Sequence, residues 1–64
     1  MDVVTKEAVL KLAGYELWEV KGVMGNSYRI YREENNDILS HAIDKKHAIN
    51  VAYNTFLTRQ NETS

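Results

Sequence analysis

The segment from Ile43 to Arg59 constrains the fold more than any other stretch. Ala48, Ile49, Val51, Ala52, Tyr53, Phe56 and Leu57 recur there at helical spacing, a stripe too broad for a helix solvated on the surface. A second layer must cover it. Asp44 is suited to cap this helix, because its carboxylate can accept the orphan N–H groups of the first turn. Lys45 and Lys46 follow at once, although a cation at the positive end of the macrodipole costs about 0.3–1 kcal/mol when exposed. The same N–H groups and dipole attract anions, so Lys45 and Lys46 are candidates for holding phosphate. The alternative is an ordinary solvated helix end.

The chain has 64 residues, enough for one domain. A domain of that size buries only about 60% of its unfolded surface, too little for a deep catalytic cleft and a separate structural centre. A binding module is therefore expected rather than an enzyme, with no cofactor. There is no cysteine, so stability must come from packing rather than from disulfides or thiolate-bound metal. No apolar run approaches the roughly 20 residues that span a bilayer, and a cytoplasmic protein without membrane contact is expected. The formal charge is −1, so no global field draws the chain to nucleic acid. A nucleic-acid site would have to be local.

Before the final helix the hydrophobic period changes twice. Val4, Ala8, Val9, Leu12 and Ala13 fall at helical spacing, with Asp2 or Thr5 as cap and Gly14 just past the end. From Tyr15 to Met24 the period becomes two, which indicates a strand. Gly25-Asn26 is a turn signal, and Ser27 to Glu33 supplies a second strand. Asn35-Asn36 can make another tight turn, since asparagine tolerates positive φ, and Asp37 to Ala42 returns as a third strand. The expected fold is α+β: an αβββα domain over residues 1–59, with a three-stranded antiparallel sheet, both helices on one face, and a frayed polar tail at 60–64.

With a turn centred on Gly25-Asn26, Glu19 pairs with Arg32, Val23 with Tyr28 and Ile30 with His41. One face then carries Tyr15, Leu17, Val23, Tyr28, Ile30, Leu39 and Ile43. The other carries Trp18, Val20, Met24, Arg29, Tyr31, Ile38 and Ser40. The first set is the more continuous and is assigned to the core, although a one-residue slip reverses the assignment. Under this register an apolar strip of Trp18, Val20, Tyr31 and Ile38 stands exposed beside Arg29. Such a strip has the composition of a protein-interface centre, and a homodimer or another protein partner follows. Under the opposite register these residues are simply core.

Tyr15-Glu16-Leu17 and Asp44-Lys45-Lys46-His47-Ala48 with Ala52 resemble the first strand and last-helix opening of the double-stranded RNA-binding domain. That resemblance covers nearly the whole chain and implies the αβββα fold, with Lys45 and Lys46 touching duplex phosphates. Ile49 replaces the family's third basic residue, and Gly22 to Ser27 is shorter than its groove-probing loop. Residues 27–59 also resemble the arm-binding domains of phage-type integrases, through Ser27-Tyr28-Arg29-Ile30-Tyr31-Arg32 and Asp44-Lys45-Lys46-His47-Ala48-Ile49. That likeness implies a phage or mobile-element setting and DNA contact through the sheet, where Arg29 would serve.

Other chemistry is sparse. His41, His47, Asp37 and Asp44 have no spacing that places three metal ligands together, so no metal site is expected. Ser40 and His41 are strand neighbours and point to opposite faces, which rules out a nucleophile and its base. Arg32 is expected to pair with Glu19 across the sheet, contributing about 0.2–1 kcal/mol. The leading expectation is a non-catalytic module acting by protein–protein contact or self-association, with duplex RNA or DNA binding through Lys45, Lys46 and Arg29 as the alternative.

Overall fold

The computed structural model describes residues 1–62 as α1 (Val3–Leu12), β1 (Glu16–Gly22), β2 (Gly25–Arg32), a 3-10 turn (Glu33–Asn35), β3 (Asp37–Ala42) and α2 (Lys45–Glu62). Element order and class are as expected: the three strands form one antiparallel sheet in the order β1-β2-β3, and α2 packs on β3 and β2. Helix α2 runs three residues beyond Arg59, so Gln60–Glu62 are helical; Thr63 and Ser64 of the expected tail lie outside the described residues.

Helix α1 starts on Asp2, whose carboxylate accepts the Thr5 N–H at 2.8 Å. It stops at Gly14, whose φ of +96° suits a residue without Cβ. The Gly14 N–H returns to the Lys11 carbonyl and the Tyr15 N–H to the Leu10 carbonyl, each at 3.0 Å, which closes the last turn and folds Tyr15 back over Leu10. Both become core. The inward face of α1 therefore differs from the expected stripe: Leu10 is buried, Val3 packs against the core, and Val4 and Leu12 are exposed. The cause is Lys6. Helix α1 docks on α2, and Lys6 lies in that contact, its Nζ 2.9 Å from Asn50 Oδ1 and 5.6 Å from the Tyr53 ring centre. A polar residue on the packed side disguised the stripe.

The β1–β2 register corrects the expected one. Gly22 faces Gly25 across a turn made by Val23 and Met24, so Glu19 pairs with Tyr28, not Arg32, and Val23 pairs with nothing. Gly25, at φ +132°, supplies the backbone freedom that closes the turn. Because the offset is even, side chains keep their faces: Leu17, Tyr28 and Ile30 remain on the helix side, and Trp18, Arg29 and Tyr31 on the other. The second turn has Asn36 at φ +53°, as its sequence suggested.

Between β2 and β3 the ladder slips. Ile30 faces Ser40, not His41, while Tyr31 faces Ile38, which leaves Leu39 as an extra bulged residue. Leu39 and Ser40 are both buried, so Ser40 joins the helix side instead of the open face. Its hydroxyl donates to the Ala48 carbonyl at 2.7 Å and ties β3 to the first turns of α2. Leu10, Tyr15, Ile30, Leu39, Ile49 and Ala52 form the core, with Leu17, Tyr53 and Phe56 packed around it. Ile43, expected inward, sits in the connection before α2 and is exposed.

Candidate interaction face of the sheet

The alternation of a strand sends successive side chains to opposite faces, and here the helices occupy one face only. On the open face Trp18 is 51% exposed, Val20 42% and Ile38 51%, with Tyr31 half-buried beside them. The Trp18 and Tyr31 rings stand 5.8 Å apart at 53°, a tilted contact that joins β1 to β2. Trp18 Nε1 donates to Glu16 Oε2 at 3.1 Å, which fixes the indole along the strand. The four expected interface residues thus share one face, and they are surface rather than core.

Arg29 lies in the middle of this face, opposite Trp18 on one side and His41 on the other. Its Nε is shielded from solvent and has no hydrogen-bond partner among the described residues. Lys45 and Lys46 are elsewhere. They open α2, on the covered side of the sheet, so the structure does not unite them with Arg29 as one basic surface. Asp44 caps the helix as expected: its carboxylate accepts the His47 N–H at 2.9 Å, and its carbonyl accepts the Ala48 N–H at 2.9 Å. Both lysines are exposed and form no ion pair among the described residues. No three His, Asp or Glu side chains cluster as metal ligands among those residues, and no helix there is long and apolar enough to cross a membrane.

One constellation was not anticipated. Tyr15 donates from its hydroxyl to Asp37 Oδ2 at 3.0 Å, Arg32 Nη2 donates to the Tyr15 hydroxyl oxygen at 3.2 Å, and Arg59 donates to both Asp37 oxygens. The Arg32 guanidinium also lies 4.8 Å from the Tyr15 ring centre, and Phe56 meets that ring edge-on at 6.1 Å. The Arg59 hydrogen bond holds the Asp37 carboxyl below its usual range, with the Tyr15 hydroxyl and the charges of Arg59 and Arg32 adding to it. Burial pushes the Tyr15 phenol up, helped by the adjacent carboxylate. A carboxylate held ionised by two hydrogen-bond donors, Tyr15 and Arg59, with the Arg32 charge beside it, is a poor proton shuttle and a good staple: it fixes the far end of α2 to the end of the sheet. The partner of Arg32 is accordingly Asp37, at 3.9 Å, and not Glu19. Sequence gave no sign of this, since Arg59 and Asp37 meet only through the tertiary fold.

Against known proteins, no family model matches the chain, and no match was found among curated proteins or solved structures. The αβββα arrangement is compatible with the double-stranded RNA-binding fold at the level of element order and sheet topology.

Proposed function

We propose that this domain is a non-catalytic binding module that self-associates through the open side of its sheet. The observation that carries the reading is the exposure of Trp18, Val20 and Ile38 on a single face, continued by Tyr31, while both helices lie on the other. Contiguous exposed apolar surface with arginine and aromatic anchors suits protein contact. A second copy is the partner, because a two-fold contact buries the same patch twice, and two-fold dimers are the commonest soluble oligomers. The near-neutral charge of the chain opposes no such approach. Sedimentation of wild type and Trp18→Ser over a range of concentrations tests it. The variant should stay folded, since Trp18 lies outside the core, and should lose the concentration-dependent dimer. A wild type that remains monomeric up to high concentration removes the reading.

A second reading rests on Lys45 and Lys46, exposed at the first positions of a long helix and without acidic partners among the described residues. In that reading the lysines contact the backbone of duplex RNA or DNA.

A further inference from the structure

We infer that two copies join edge to edge along β1, in a register with its two-fold axis at Val20, and that each copy seats its Val23-Met24 turn in a hollow at the start of the other copy's β1. The inference rests on the self-association reading alone and moves the contact from the open face to the β1 edge, so that the Trp18 and Val20 patches of the two copies adjoin rather than cover one another.

Strand β1 is an edge strand, and the structure leaves that edge open: β2 pairs with one side only, and six of the seven residues of β1 are exposed. In a two-residue hairpin the closing pair, Gly22 and Gly25, is hydrogen-bonded, so the even-numbered residues of β1 bond to β2. Leu17, Glu19 and Lys21 therefore aim their backbone N–H and C=O groups away from the sheet, as an unsatisfied template for another strand.

An antiparallel pairing of β1 with its own copy must place a two-fold axis at one residue, and charge and the reach of the turns together choose among the central positions Trp18 to Lys21. Centring on Glu19 sets Glu19 against Glu19, and centring on Lys21 sets lysine against lysine; both are repulsive. Centring on Trp18 sets Glu19 against Leu17 and leaves the turns beyond reach of the other strand. Centring on Val20 sets Glu19 against Lys21 of the other copy, twice, as outward hydrogen-bonded pairs. Val20 then meets Val20 as a close pair. Trp18 faces Gly22, where no side chain obstructs the indole.

The same register accounts for the most exposed apolar residues of the chain. Val23 and Met24, at 105% and 99% exposure, project from the hairpin tip with nothing to cover them. With the axis at Val20, Val23 leaves the strand beside Leu17 of the other copy, and Met24 follows it at the crest of the turn. A hollow of about 450 Å³ opens there, lined by Lys11, Gly14, Tyr15, Glu16, Leu17 and Trp18. Its lining takes residues from both faces of β1 and none from β2, so it opens along the free edge. Backbone template, charge pairing, glycine gap and tip-to-hollow fit agree on one register. The result is a six-stranded sheet in which the Trp18 and Val20 patches of both copies merge across the seam.

The test is charge exchange, read by sedimentation equilibrium on the full chain with circular dichroism as the control for folding. Lys21→Glu sets glutamate against glutamate at both pairs and should raise the dimer dissociation constant at least about tenfold. Lys21→Glu combined with Glu19→Lys restores opposite charges and should recover the dimer. Met24→Ser, at a position that touches no core, should weaken it without altering the fold. A monomeric wild type overturns both this inference and the self-association reading. A dimer indifferent to Lys21→Glu and to Met24→Ser overturns the edge arrangement alone. If Glu19→Lys costs stability through the Asn26 and Tyr28 contacts of Glu19, the Lys21→Glu and Met24→Ser results decide.

Discussion

The Tyr15 hydroxyl stands 3.0 Å from Asp37 Oδ2, and this contact links the residue that ends the α1 turn to the first residue of β3. Tyr15 is core by its ring and polar only at its tip, so the hydroxyl requires a partner where it emerges. Arg32 and Arg59 converge on the same carboxylate. Hydrophobic and ionic packing thus meet at one residue pair, and α2 is fastened at both ends: by Ser40 near its start and by Asp37 at Arg59.

The Asp37 carboxyl titrates below its ordinary value in the folded chain, chiefly through the Arg59 hydrogen bond. A depressed folded pKa gives stability that is complete above the unfolded value of about 3.9 and is lost as pH falls through the folded value. Asp37→Asn should therefore be less stable than wild type at pH 7, with the gap narrowing below about pH 4. Urea midpoints at pH 7 and pH 3 measure it. An equal gap at both would show that the charge of Asp37 contributes nothing to folding.

Element order was readable because hydrophobic period changes where the structure changes, and because Asp2, Gly14, Asn36 and Asp44 each do what their chemistry favours. The hairpin turn was misplaced because Gly25 marks the closing pair rather than the turn itself, and Val23-Met24 carries no turn chemistry. The face assignment of Trp18 and Tyr31 survived because the displacement was even. The bulge at Leu39 has no marker in sequence, so Ser40 was assigned to the wrong face. The Asp37 cluster was hidden for another reason: its members come from four separate segments, and only packing brings them together.

Leu10 and Leu12 give a direct check on the orientation of α1. Leu10 is buried and Leu12 is 90% exposed, two residues apart on one helix. Leu10→Ala should cost about 2–5 kcal/mol, comparable to the whole stability of so small a domain, whereas Leu12→Ala should change it by less than about 0.5 kcal/mol. Thermal melts of the two variants distinguish them. A larger loss from Leu12→Ala than from Leu10→Ala would place the helix in the orientation that its bare apolar spacing suggested.

Ser40 tests the bulge. Its buried hydroxyl donates to the Ala48 carbonyl of α2, and Ser40→Ala removes that bond between β3 and the helix. Ser40→Ala should destabilise the domain by about 1 kcal/mol, and Ser40→Val by more, because the pocket between β3 and α2 is filled. If Ser40 instead faced solvent on the open side, valine there would be neutral or stabilising, as a strand former. Chemical denaturation of both variants settles the sign.

Lys45 and Lys46 are exposed at the start of α2, where a bound phosphate would complement both the helix dipole and their charge. Duplex binding through them would release counterions, so affinity should fall linearly on a logarithmic scale with salt, with a slope of about −0.9 for each phosphate neutralised on B-DNA. Lys45→Ala with Lys46→Ala should weaken binding and reduce the slope by about 2. Stability should hold or rise slightly, since two cations leave the positive end of a helix. Arg29→Ala separates the two surfaces: it lies on the other side of the sheet and should leave the salt slope unchanged if only the helix start meets the duplex. Fluorescence anisotropy with labelled RNA and DNA duplexes at several salt concentrations measures all three proteins. Absence of wild-type binding to either duplex at low salt removes the nucleic-acid reading and leaves the open face of the sheet as the working surface.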